Sequence, residues 1–244
     1  IEYTPFFICV IINCMYQFID SIQVKDNGVP ILSHKKIETI IDGCFAEFDP
    51  TLTQKPQRVC ISSFIDLLKK KDGLKYEVRS LGLVFNNIIL GMMDTDKGVL
   101  SIDPVTQTNP HVLRFTEAHE VGHWVLHRHY EVSGYSAGSQ QKLFKDTEET
   151  ISSQKRLTTA TDWIEWQANA FASSFLMPMK TFSQSVSNGI SLLELSVTKD
   201  AYGSIQTTPK DYNRLVTYLS ELYDVSMTAI SLRMKQLENI RPVL

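Results

Sequence analysis

The tightest constraint on this chain is five residues long. Residues 119–123 read His-Glu-Val-Gly-His, inside a helical pattern from Leu113 to His127 that also carries Phe115, Val121, Trp124, Val125 and Leu126. Two histidines four apart project from one helix face, a turn apart. Their rings are then placed to meet one tetrahedral ion at roughly 2.0–2.1 Å each, while Glu120 beside them reaches ion-bound water without ligating the ion. The plain alternative is a pair of solvated or cap-bonded helical histidines, and a third ligand is what separates the two readings.

Residues 165–169, Glu-Trp-Gln-Ala-Asn, supply a candidate. They lie in a second helical pattern from Asp162 to Leu176, closed by Met177-Pro178. Glu165 and Asn169 share a face, again four apart. Glu165 as third protein ligand leaves a fourth position for water, as a catalytic zinc site requires. Asn169 is spaced to accept a hydrogen bond from the far nitrogen of a ligand histidine. Ala168 and Ala172 keep that helix slim enough for a close approach to the first. Read alone, Glu165 is an ordinary exposed helix glutamate; beside the histidine pair it is read as the ligand.

The segments RFTEAHEVGHWVLH (114–127) and DWIEWQANAFASSFLMP (162–178) together resemble the ImmA/IrrE-type zinc metallopeptidases. LGLVFNNIILGMMDTDKGVLSID (81–103) looks like that family's sheet ahead of the active helix, and YLSELYDVSMTAISLRMKQL (218–237) like its closing helices. The resemblance covers roughly 30–240 and leaves 1–29 as an N-terminal extension of uncertain role. It implies one metallopeptidase domain over 30–244, with a catalytic core at 81–178 and a helical part at 190–240. The implied fold is α+β: a small twisted sheet packed on the active-site helix in a minimal gluzincin-like core, with further N- and C-terminal helices. The implied activity is zinc-dependent cleavage of a protein in the cytoplasm, typically a DNA-binding repressor of phage, mobile-element or stress genes, with one Zn²⁺ per chain. In that chemistry Glu120 is the general base.

The oxyanion donor is not fixed by spacing. Tyr130, Tyr135, His127 and His129 are the nearby candidates. His127, one turn beyond His123, is open to three readings: a fourth ligand, an oxyanion donor, or a helix-end histidine meeting the C-terminal dipole. The structural reading is preferred, because a fourth protein ligand closes the open position. His129 and Tyr130 are read as surface loop residues. His34, His111, Trp124, Trp163 and Trp166 are read as structural.

Elsewhere the pattern predicts helices from about Lys35 to Phe48, capped by Ser33, and from Ile61 to Leu68, ended by the lysine run 69–71. A β-rich stretch follows from Tyr76 to Ile102, with one apolar segment over 81–90 and a hairpin turn at 94–98. Residues 131–161 show no periodicity, and loops that long are usually functional or mobile. Helices are expected at about 191–196, 211–223 and 226–238. The last two mimic a helix-turn-helix, but across 210–244 five basic residues (Lys210, Arg214, Arg233, Lys235, Arg241) face four acidic ones (Asp211, Glu221, Asp224, Glu238), too balanced for a phosphate-binding face. A net charge of −3 over 244 residues likewise gives no global case for nucleic acid or anionic membrane. Phe6 to Met15 is an apolar run of about ten, half of a membrane span. It reads as a buried strand or helix, with a trimmed signal or anchor as the alternative. Cys9, Cys14, Cys44 and Cys60 form no CxxC pair and are expected to be reduced thiols.

Two other functions stay in play: a regulator that keeps fold and metal but binds a partner or DNA without cutting, and a structural-zinc interaction module. An intact Glu120 argues against the first, and three ligands with a water position against the second.

Overall fold

Ser33 starts the first helix. Its hydroxyl accepts the backbone N–H of Lys36, and helix α1 runs His34–Phe48 with Ile37, Ile40, Ile41, Cys44 and Phe45 turned into the core. The computed structural model describes residues 22–84, 87–131, 157–199, 205–237 and 241–242; the apolar run Phe6 to Met15 lies outside them, as does most of 131–161. Asp49 stops α1 and caps the 3₁₀ turn Pro50–Thr53. Helix α2 runs Ile61–Asp72, a turn longer than the pattern predicts, because lysines 69–71 form its last turn rather than follow it. Cations favour that position. Gly73, at φ 69°, ends it in the left-handed conformation that glycine adopts without cost.

The fold is α+β. Strands β1 (Lys75–Val78), β4 (Gly91–Asp94) and β5 (Val99–Ile102) form a mixed sheet in the order β1-β5-β4. β1 runs parallel to β5, and β4 pairs antiparallel with it through the expected turn. The stretch 81–90 is not one strand. It holds two antiparallel pieces, β2 (Leu83–Val84) and β3 (Asn87–Ile88), entered through Gly82 at φ 82°.

Helix α3 runs Pro110–His127. It begins three residues earlier than its apolar pattern suggests, because Asn109 Oδ1 caps the N–H groups of His111 and Val112 and Pro110 occupies the first turn. Arg114 and every residue from Thr116 to His127 are buried. A helix buried on all sides has neighbours all round: β4 and β5 contact it, as do α2 and α4 (Ala160–Leu176). α4 opens with a reciprocal cap between Thr159 and Asp162. It makes the largest helix–helix contact with α3 among the described residues. Gly122 permits this, since a Cβ there would lie 3.1 Å from Phe171 Cβ and 3.2 Å from the Ala168 carbonyl. Ala168 and Ala172 are fully buried in the same region. Phe45, Phe64, Phe171 and Phe175 stack through the core between α1, α2 and α4.

The C-terminal third departs from its sequence pattern. Pro178 ends α4 but also opens α5 (Met179–Leu192), so the helix expected at 191–196 is the tail of α5 and a turn. α5 was hidden because its inner face is small and polar: Thr181, Ser185 and Gly189 are buried beside Phe182 and Val186. A Cβ on Gly189 would sit 2.7 Å from Leu215 Cδ1 and 2.9 Å from Tyr218 Cδ1, so a larger residue there would displace one of those side chains. Strands β6 (Val197–Lys199), β7 (Ile205–Thr207) and β8 (Arg241–Pro242) form a second small sheet. α6 (Pro209–Tyr223) and α7 (Met227–Gln236) follow expectation. α7 is not a free recognition helix. Arg233 is fully buried, ion-paired to Glu38 of α1, and donates to the Met177 carbonyl at 3.0 Å and to Ser174 Oγ at 3.1 Å.

Candidate metal centre

Helices α3 and α4 bring three ligand atoms to one point. His119 and His123 come from α3 and Glu165 from the first half of α4, and these atoms all lie within 4.8 Å of one another. His119 Nε2 is 3.0 Å from His123 Nε2 and 3.3 Å from Glu165 Oε2. His123 Nε2 is 3.7 Å from Glu165 Oε1. A tetrahedral ion with bonds of about 2.0–2.1 Å sets its ligand atoms roughly 3.3–3.4 Å apart. The three observed separations bracket that value. The donor set, two imidazoles and one carboxylate, is the one borderline-soft divalent ions favour. The residues present therefore fit a single zinc-like cation. Both histidines are buried, and Glu165 keeps 24% of its side chain exposed, so the trio meets solvent on the α4 side.

Each ring has a partner behind it. His119 Nδ1 lies 2.9 Å from Asn169 Oδ1, the placement its spacing predicts. His123 Nδ1 lies 3.1 Å from His127 Nδ1, whose Nε2 is 3.0 Å from Gln167 Oε1. Both nitrogens of His127 are thus engaged inside the protein, and neither is offered to the open side of the trio. Burial, then the nearby His123 ring, push its pKa down to about 3. Gln167 went unremarked in the sequence, where it is one polar residue among several in α4.

Glu120 is 1% exposed, and its Oε1 has no hydrogen-bond partner among the described residues. Burial raises its carboxyl above the usual range, opposed by the rings of His119 and His123. Glu165 goes the other way. Its burial would raise it, but the neighbouring His123 and His119 rings outweigh that and hold it well below the usual range. Burial would lower His119, yet Glu165 and Glu120 raise it. The two carboxyls of the site are thus pushed apart by their surroundings. Gly91 of β4 closes over Glu120: a Cβ there would lie 2.8 Å from Glu120 Oε1 and 2.6 Å from Thr116 Cγ2. Nothing in the sequence marks this glycine, because the approach joins strand to helix.

Of the other candidates, Tyr130 follows α3, with its N–H on the His127 carbonyl. His129 is exposed and its Nε2 accepts from Arg128 at 3.1 Å. Tyr135 lies outside the described residues. His111 pairs with Asp224 at 3.3 Å, His34 packs edge-on to Trp166, and Trp124 donates to Asp72 at 3.3 Å. Lys25 covers Trp163 at 3.8 Å. His111, His34, Trp124 and Trp163 are thus engaged in contacts away from the three ligand atoms. Cys44 is buried and Cys60 exposed, both free thiols; Cys9 and Cys14 lie outside the described residues. Among the described residues no helix is long and apolar enough to cross a membrane.

An α+β chain that aims His, His and Glu from two neighbouring helices at one point is, as a class, a protein organised round a single candidate cation site. The family model of the IrrE N-terminal-like domain, a peptidase family, matches residues 108–235, and the chain belongs to that family. The match spans α3 through nearly all of α7 and so includes every residue of the trio. No curated protein matches the chain.

Proposed function

We propose that the protein is a zinc-dependent endopeptidase of gluzincin-like build, with His119, His123 and Glu165 as the ligands of one Zn²⁺ and Glu120 as the general base. The observation that carries this is the convergence of the three ligand atoms beside a buried carboxylate with an unpartnered oxygen. A bound zinc ion supplies a water of pKa near 7 and polarises the scissile carbonyl. Glu120 would accept the water proton and deliver it to the leaving amine. Asn169 holds the His119 ring. Tyr130 and Tyr135 are the oxyanion donors to test by Phe substitution.

The substrate is proposed to be a cytoplasmic protein, a DNA-binding repressor of phage, mobile-element or stress genes. The family assignment and the two described free thiols support that reading. Direct DNA binding is disfavoured, since α7 spends its central arginine on the core. The proposed domain remains 30–244.

The test is Glu120→Gln. It keeps size and hydrogen bonding but cannot take a proton, so zinc content stays at one equivalent while cleavage falls by about 10²–10⁴-fold. The assay is loss of a co-expressed repressor on a blot, with induction of its target gene. Induction as strong as wild type in Glu120→Gln would mean that the protein regulates by binding rather than by cutting.

A further inference from the structure

We propose that the backbone carbonyl of Pro30, acting through Gln167 and His127, sets the tautomer and orientation of His123. This rests on reading His123 as a metal ligand. Four groups form one buried chain. Gln167 Nε2 donates to the Pro30 carbonyl at 2.7 Å, Gln167 Oε1 lies 3.0 Å from His127 Nε2, and His127 Nδ1 lies 3.1 Å from His123 Nδ1.

The direction of the chain follows from its far end. A carbonyl oxygen only accepts, so the amide of Gln167 must turn its nitrogen to Pro30. The reverse orientation sets two acceptors against each other at 2.7 Å. Gln167 Oε1 then faces His127 and also only accepts, so His127 carries its hydrogen on Nε2. A neutral His127 offers a lone pair at Nδ1. His123 must meet that lone pair with Nδ1–H, which leaves its Nε2 lone pair facing His119 Nε2 and Glu165. That is the tautomer a metal ligand needs. His119 reaches the same state in one step, through the Asn169 oxygen.

The chain crosses 137 residues of sequence between Gln167 and Pro30. It makes the segment ahead of α1 part of the site. That segment is held by the bridge between Val24 and Pro30, by Val29, which is fully buried, and by Lys25 over Trp163. Displacing the Pro30 carbonyl frees Gln167 to turn, and His123 is then free to adopt the tautomer that presents N–H to the metal. Gln167 and His127 are positioning residues, and Pro30 is a point from which metal affinity is adjustable.

The test uses the full chain and zinc competition against a chelator. Gln167→Leu and His127→Leu should each weaken zinc by about 10–100-fold, with the double variant no weaker than the worse single one. His127→Gln keeps an acceptor for His123 and a donor for Gln167, so it should hold zinc close to wild type. A purely structural role predicts instead that affinity follows melting temperature and that His127→Gln fares no better than His127→Leu. Nitrogen-15 imidazole spectra of the chelated protein give a second readout: His127 protonated on Nε2 and His123 on Nδ1 in the wild type, mixed His123 tautomers in Gln167→Leu. Wild-type affinity in Gln167→Leu, or His127 protonated on Nδ1 in the wild type, overturns the relay. If the wild type takes up no zinc, the ligand reading falls instead, and the nitrogen spectra still decide the tautomer.

Discussion

Helix α4 carries two buried polar clusters, one in each half, and they are built to opposite rules. Toward its C-terminus, Ser174 and the Met177 carbonyl meet Arg233, whose guanidinium also pairs with Glu38 and Gln236. Donors there match acceptors, and one positive charge meets one negative. In its first half, Glu165, Gln167 and Asn169 face three histidines and Glu120. There two imidazole nitrogens and one Glu165 carboxylate oxygen lie within 4.8 Å of one another, and a buried Glu120 oxygen lacks a partner among the described residues. A cluster complete within the protein holds helices together. One whose acceptors outnumber its donors has room for a cation, and that surplus distinguishes the candidate site from the clamp.

The sharpest way to break the comparison is to remove a ligand. His119→Ala or His123→Ala should abolish zinc binding outright while the chelated protein still folds. Zinc uptake by the purified variants at one equivalent, measured by metal analysis, would disprove the site. The clamp should respond in the opposite sense. Arg233→Met strands Glu38 without its partner and should cost about 3–5 kcal/mol, seen as a large fall in melting temperature with zinc affinity per folded molecule unchanged. Adding Glu38→Leu should restore most of that loss.

A third measurement uses pH. Burial raises Glu120 in the folded protein, so the folded state holds that proton more tightly than the unfolded chain does. The carboxylate then destabilises the metal-free protein above its folded pKa, and the penalty fades as pH falls toward the ordinary carboxylate value. Glu120→Gln should therefore melt higher than wild type in chelator at pH 7.5. A stranded buried acceptor costs about 1–3 kcal/mol, or roughly 2–10 °C here, and the gap should close by about pH 4.5. Glu165 runs the other way: its low folded value adds stability that is present above the ordinary carboxylate range and is lost on acidification through the folded pKa. Equal melting of Glu120→Gln and wild type in chelator at every pH would mean that the buried Glu120 carboxylate carries no net penalty. The smallest effect is expected at the cap of the same helix. Thr159→Ala removes the hydroxyl that accepts Asp162 N–H and should cost about 1 kcal/mol, with no change in zinc affinity, since neither Thr159 nor Asp162 is among the ligands.

Part of this was legible in the chain and part was not, and the division follows the range of the forces involved. His119, His123 and Glu120 sit on one short run of helix, so their relation is fixed by helix geometry and read directly from spacing. The same holds for the Glu165–Asn169 pair, the cap at Ser33, and the turn between β4 and β5. Each is an interaction over a few residues, where backbone dihedrals leave little choice. Helix α5 escaped because only Phe182 and Val186 mark its buried face as apolar; the rest of that face is threonine, serine and glycine. The sheet β6-β7-β8 escaped because its strands span two or three residues each, too short to show alternation.

What only the tertiary structure decided is which surfaces meet. Spacing makes Glu165 a possible ligand, but its distance to His119 depends on Gly122 letting α4 approach α3. Spacing says nothing of Gly91 closing over Glu120, of His127 turned inward to Gln167, or of Arg233 crossing to Glu38, 195 residues away in sequence. A linear pattern records what a residue offers to its own helix or strand. Its partners across the core are selected by the packing of the whole chain, where shape and the cost of an unpaired buried group decide together.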